Sequence, residues 1–222
     1  MSAISRRVRE AVRELKPYQA GKPIEDVKRE LGLERVVKLA SNEYPEGPFP
    51  EVVEAIGREL TGLHRYPDPG CYEVGEAVAE VYGISRDRIF FGNGNNEILE
   101  LLVHLLCEPG DEVVYAHPSF PIYGLVCRSH FQVGKAVPTD ARWVHDLDAM
   151  AAAVTERTKL IFVCNPNNPT GTYVDAERFA AFLEKVPEDV VVALDEPYVE
   201  FVTAEDFPSW FDLAEKHPNL VS

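Results

Sequence analysis

Apolar runs of strand length recur along this chain at regular intervals, separated by stretches with helical periodicity. Three of them, "EVVYA" (112–116), "KLIFV" (159–163) and "VVVAL" (190–194), are apolar on consecutive rather than alternate residues. A strand of that kind must be buried on both faces, which is the condition inside a parallel sheet covered by helices. The surrounding pattern agrees. It predicts strands at "VVKLA" (36–40), "RIFFG" (88–92) and "QVGKAV" (132–137), and helices over Ile24–Leu31 (closed by Gly32), 51–60, 73–82, Asn96–Leu106, 120–128, 147–154 and 175–185. Helix and strand take turns, so the expected fold class is α/β, a mainly parallel sheet flanked by helices. The N-terminal "MSAISRRVREAVREL" reads as a surface helix.

Composition narrows the function. The 222 residues carry 37 acidic against 22 basic side chains, a net charge of −15, and no long basic run, so nucleic acid is not the expected partner. No apolar stretch approaches the roughly 20 residues of a membrane helix. Cys71, Cys107, Cys127 and Cys164 lie far apart without a CxxC pair, which predicts neither a zinc site nor a disulfide framework and suits a reducing cytoplasm. The sequence has no HExxH or GxSxG motif, and its Gly-Lys pairs, Gly21-Lys22 and Gly134-Lys135, lack the rest of a P-loop. A small-molecule ligand is the remaining expectation.

In open α/β sheets ligands gather at the carboxyl ends of strands, and four loops there are unusual. "GNGNNE", Gly92 to Glu97, joins a strand to a helix. Its glycines and free amides suit a phosphate, although a tight turn with an Asn cap has the same signature. "DEPY" puts Asp195 at a strand end, where a carboxylate either holds a proton on a heteroaromatic nitrogen, with Tyr198 supplying a hydroxyl nearby, or caps its own loop. "NPNNPTG" sets Asn168 between prolines of fixed φ, either as a rigid donor to a ligand oxygen or as part of a turn in which Asn side chains bond their own backbone. "HPSF" adds an aromatic residue, Phe120.

Taken in order, these four loops resemble those of the fold-type I aminotransferases that use pyridoxal 5'-phosphate. "LKPYQAGKP", "KLASNEYPEGP" and "LHRYPDPGCYE" are similar to the histidinol-phosphate aminotransferase branch of that family. The resemblance implies that Gly94, Asn95 and Asn96 hold the cofactor phosphate, where relatives often carry Ser or Ala followed by Asp. Phe120 would lie against the pyridine ring, Asn168 and Tyr198 would bond its 3'-oxygen, and Asp195 would pair with its protonated nitrogen. Tyr66 would reach the cofactor phosphate of the other subunit of a homodimer, and Tyr18 the substrate phosphate.

The implied reaction is amino transfer between histidinol phosphate and 2-oxoglutarate in histidine biosynthesis. Threonine-phosphate decarboxylases and aromatic amino-acid aminotransferases share the same loops. By the same resemblance, residues 1–35 form an N-terminal arm and 36–222 an incomplete cofactor-binding large domain, with a further strand beginning about at "NLVS" and the Schiff-base lysine expected after it, beyond Ser222. The chain as given is then expected to be inactive, and a non-catalytic homologue that dimerises or binds a phosphorylated metabolite is the reading from another class.

Overall fold

The computed structural model describes residues 3–18 and 21–222. Gln19 and Ala20 of "LKPYQAGKP", and Met1 and Ser2 of the N-terminal segment, lie outside the described residues. In chain order the elements are α1 (Glu10–Arg13), α2 (Ile24–Leu31), α3 (Pro50–Glu59), α4 (Tyr72–Tyr82), α5 (Gly94–Leu106), β1 (Glu112–His117), α6 (Ile122–Ser129), β2 (Val133–Pro138), α7 (Leu147–Ala152), β3 (Thr158–Cys164), α8 (Ala176–Leu183), β4 (Val191–Asp195), α9 (Trp210–Ala214) and β5 (Leu220–Val221). They fall into two compact units, Tyr18–Phe91 and the combination of Met1–Pro17 with Gly92–Ser222.

In the larger unit the described strands form one sheet in the order β2-β1-β3-β4-β5, with every neighbouring pair parallel. Successive side chains of a strand point to opposite faces, which accounts for the consecutive apolar residues. Along β3, Leu160, Phe162 and Cys164 join Leu99 and Val103 of α5 and Tyr123 and Val126 of α6 in one core layer. Ile161 and Val163 join Met150 of α7 and Phe179, Phe182 and Leu183 of α8 in the other. Strand β4 divides likewise, Ala193 to the first layer and Val192 and Leu194 to the second. Each fully buried Leu, Ile or Phe side chain contributes about 1.5–3 kcal/mol, so these two layers supply most of the drive to fold.

The chain passes from β1 outward to β2 and then returns to β3 on the other side of β1. That reversal is the switch point at which α/β sheets open a crevice beyond their carboxyl ends. At the opposite end of β1, Glu112 is buried between Lys135 Nζ at 2.6 Å and Arg157 Nη2 at 2.7 Å, with Thr155 also donating to it. Those donors hold its carboxyl down at about 2. This node ties β1, β2 and the start of β3 together away from the crevice.

Three expectations need correction. Residues 36–40 and 88–92 form no strand, because an apolar run becomes a strand only where a neighbour accepts its backbone hydrogen bonds. Leu39 and Phe90 are accordingly exposed. The N-terminal segment is helical only as a 3-10 turn at Ser5–Arg7 and the single turn α1, too short for helix propensity to sustain alone. The strand expected at "NLVS" does begin there, as β5, pairing with β4. Within the smaller unit, α2 ends as read, with Gly32 left-handed at φ 65°. Its helices leave Val52, Val53, Ile56, Val74 and Val81 exposed.

Candidate active site

Asp195 is the last residue of β4 and is 7% exposed, an unusual place for a carboxylate. Its Oδ1 accepts a hydrogen bond from Asn95 Nδ2 at 2.7 Å, and its Oδ2 accepts one from the Tyr123 hydroxyl. Burial pushes the Asp195 carboxyl up from its ordinary value, and the two donors pull it back. Tyr123 is held rigidly. It is wholly buried, stacked on Phe162 with ring centroids 4.7 Å apart and planes 12° from parallel, and met edge-on by Phe120 at 5.9 Å. Burial raises the phenol far above its ordinary value, so it acts only as a neutral donor.

The loops after β1 and β3 brace each other. Ser119 Oγ donates to Asn167 Oδ1 at 2.7 Å, while Asn167 Nδ2 donates to Pro118 O at 3.1 Å and Thr170 Oγ1 at 2.8 Å. Asn165 locks the same loop from within, exchanging bonds of 3.1 and 2.8 Å with the backbone of Val174, and its own N–H donates to Asp195 O at 3.0 Å. The Asn165–Pro166 and Asn168–Pro169 peptides are both cis. Asn165 and Asn167 are buried and occupied as braces, whereas Asn168 is half-buried between them and the exposed Pro169. The reading of a turn in which Asn side chains bond nearby backbone holds for Asn165 and Asn167.

The start of α5 supplies a third wall. Gly94 has φ +73°, which an L side chain rarely adopts, and nothing lies within 4 Å of where its Cβ would be. Gly92 differs, since a Cβ there would meet Ile98 Cδ1 at 2.7 Å. A left-handed glycine opening a 13-residue helix onto free space presents unpaired backbone N–H groups to an anion. The Glu97 carboxylate takes the N–H of Asn93. The N–H of Gly94 donates to Gly92 O at 2.9 Å, so the groups left without a backbone partner at this helix start are those that follow it, on Asn95 and Asn96.

This set of loops is shared. Residues 34–222 match the family model described as aminotransferase class I and II. The chain belongs to that aminotransferase family. It is 44% identical over 211 residues to histidinol-phosphate aminotransferase 2 of Haemophilus influenzae (strain 86-028NP), covering 95% of this chain and 57% of the relative. It is 48% identical over 202 residues to the histidinol-phosphate aminotransferase of Moorella thermoacetica, covering 90% and 52% respectively. Among solved structures it resembles the histidinol-phosphate aminotransferase of Sinorhizobium meliloti in complex with pyridoxal-5'-phosphate. The TM-score is 0.84 with 28% identity, covering 96% of this chain and 57% of that one. The chain spans about half the length of the curated relatives it matches.

For this aminotransferase-family chain, the fold brings Asn95, Phe120 and Asp195 together through direct contacts and the bridging ring of Tyr123. Asn96 follows in the first turn of α5, and Tyr198 follows Asp195 as a half-buried residue capping a 3-10 turn. Tyr18 and Tyr66 belong to the other unit, Tyr66 fully exposed and Tyr18 half exposed. Three contributors escaped the motif reading: Tyr123, Ser119 and Asn167. Ser119 and Asn167 directly precede Phe120 and Asn168, so a polar residue next to each residue the motifs singled out was the available signal. Tyr123 offered only its place one turn beyond Phe120.

Proposed function

We propose that this chain is the cofactor-binding portion of a pyridoxal-phosphate-dependent histidinol-phosphate aminotransferase, acting in the cytoplasm as a homodimer. The observation that carries the reading is the buried, doubly hydrogen-bonded carboxylate of Asp195, facing the same crevice as the open helix start at Gly94. A buried carboxylate with acceptor capacity to spare calls for a cationic partner, and the donor-rich helix start calls for an anion. Pyridoxal 5'-phosphate carries both on one ring, and the residues present fit it. When bound, it supplies the electron sink that makes removal of a substrate Cα proton feasible.

Each side chain then has a definite task. Asp195 keeps the proton on the ring nitrogen, where low exposure strengthens the ion pair. Gly94 sets the turn at which the backbone N–H groups of Asn95 and Asn96 hold the phosphate, Phe120 covers the ring face and excludes water, and Asn168 and Tyr198 donate to the 3'-oxygen. Tyr18 takes the substrate phosphate, and Tyr66 serves the cofactor phosphate of a second subunit. The exposed apolar residues of Tyr18–Phe91 support a second copy as their cover, and the four free cysteines suit a reducing compartment.

The test uses pyridoxamine 5'-phosphate, which presents the same ring and phosphate and needs no covalent partner. Calorimetric titration of the purified chain should show binding that Asp195→Asn weakens at least tenfold. Equal affinity in that variant overturns the reading. For the whole protein, amino transfer from histidinol phosphate to 2-oxoglutarate should exceed any turnover of threonine phosphate or phenylalanine, and the reverse ranking overturns the substrate assignment.

A further inference from the structure

The motif reading gives Asn95 to the cofactor phosphate, yet its side chain points elsewhere. We propose that Asn95 is a positioning residue for Asp195: its amide, working with the Tyr123 hydroxyl, keeps the carboxylate ionised and aimed before any ligand arrives. The site is thereby tuned to select a ligand with a protonated heteroaromatic nitrogen. This inference rests on the reading of Asp195 as the ring-nitrogen partner.

The geometry separates the two parts of Asn95. It is the second residue of α5, so its backbone N–H is among those left unpaired at the helix start, free for an anion. Its Nδ2 lies 2.7 Å from Asp195 Oδ1, the length of a charge-assisted bond. A serine or alanine at this position could not place an amide there. A carboxylate offers about four acceptor positions, so one donor on each oxygen fixes the plane of the group and leaves capacity for an incoming N–H.

The surroundings make that support necessary. Cys164 faces Asp195 as its register partner on β3, with its thiol pushed up to about 11 by burial and by the Asp195 charge. Tyr123 faces it from α6 as a neutral phenol. Glu196 follows it, raised to about 7 by burial and in part by Asp195. Burial opposes the charge on Asp195, and the donors that offset it are Tyr123 and Asn95.

The test reads Asp195 directly in the intact chain, without cofactor. With 13C-labelled aspartate carboxyls, the Asp195 signal is identified by its loss in Asp195→Asn and titrated by NMR. In Asn95→Ala its midpoint should rise by roughly one pH unit. In the unmodified chain the Asn95 Nδ2 proton signals should follow the same midpoint. An unmoved midpoint in Asn95→Ala, or Asn95 signals indifferent to the Asp195 titration, overturns the proposal, and the second measurement needs no variant.

The ligand arm distinguishes the underlying reading. The acid limb of pyridoxamine 5'-phosphate binding should shift to higher pH in Asn95→Ala, in step with the carboxyl. A shifted carboxyl with an unchanged binding profile leaves the Asn95–Asp195 coupling in place and overturns the ring-nitrogen role.

Discussion

Ser119 and Asn167 meet at 2.7 Å across 48 positions of sequence, joining the loops after β1 and β3 at the point where the sheet order reverses. The two residues proposed to touch the ring, Phe120 and Asn168, are their immediate successors. One buried hydrogen bond therefore ties together the segments that carry both proposed ring contacts.

Replacing Asn167 with Ala leaves Ser119, Thr170 and the Pro118 carbonyl without a shared partner in a buried place. The expected loss is about 1–3 kcal/mol, read as a lower urea midpoint, together with weaker pyridoxamine 5'-phosphate binding because Asn168 is no longer held. Full affinity in a destabilised Asn167→Ala chain would show that the brace serves the fold alone.

Glu112→Gln removes the charge that pairs Lys135 and Arg157 at the start of β1. Both cations reach solvent, so the loss should stay below the roughly 3–5 kcal/mol of a fully buried pair broken from one side. The folded carboxyl lies at about 2, below its ordinary 4.5, so its contribution is complete above pH 4.5 and fades as pH falls toward 2. The gap in urea midpoint between the two chains should accordingly narrow below pH 4.5, while ligand binding at the far end of the sheet stays unchanged.

His145 is 2% exposed, and neither ring nitrogen makes a hydrogen bond of normal geometry among the described residues. Burial depresses its protonation to about 4, with Asn167 opposing. Between pH 6.5 and 4 the unfolded chain takes up a proton that the folded chain refuses, so stability falls on acidification through that window. The full effect is roughly 3 kcal/mol. In His145→Leu, urea midpoints measured across pH 4–7 should lose that component; an identical slope in both chains would assign the acid sensitivity to other groups.

Gly94→Ala meets no steric neighbour, so its cost comes from the left-handed backbone at φ +73°, about 1–2 kcal/mol. Pyridoxamine 5'-phosphate affinity should drop with it, because relaxing this backbone turns the N–H groups at the start of α5. Unaltered affinity would remove Gly94 from the phosphate site.

The sequence by itself determined the α/β class, because "EVVYA", "KLIFV" and "VVVAL" are apolar on consecutive residues and only a sheet covered on both faces satisfies them. It also determined which loops matter, since glycine, proline and asparagine at strand ends carry local conformational signals that need no distant partner. The tertiary structure alone decided the rest. Whether "VVKLA" and "RIFFG" become strands depends on neighbours to accept their backbone hydrogen bonds, which local apolarity does not report. That Asn95 donates to Asp195, that Tyr123 does so from another helix, and that Asn167 braces Ser119 are contacts between residues up to 100 positions apart. Side-chain direction at such distances is set by packing, and no single segment encodes it.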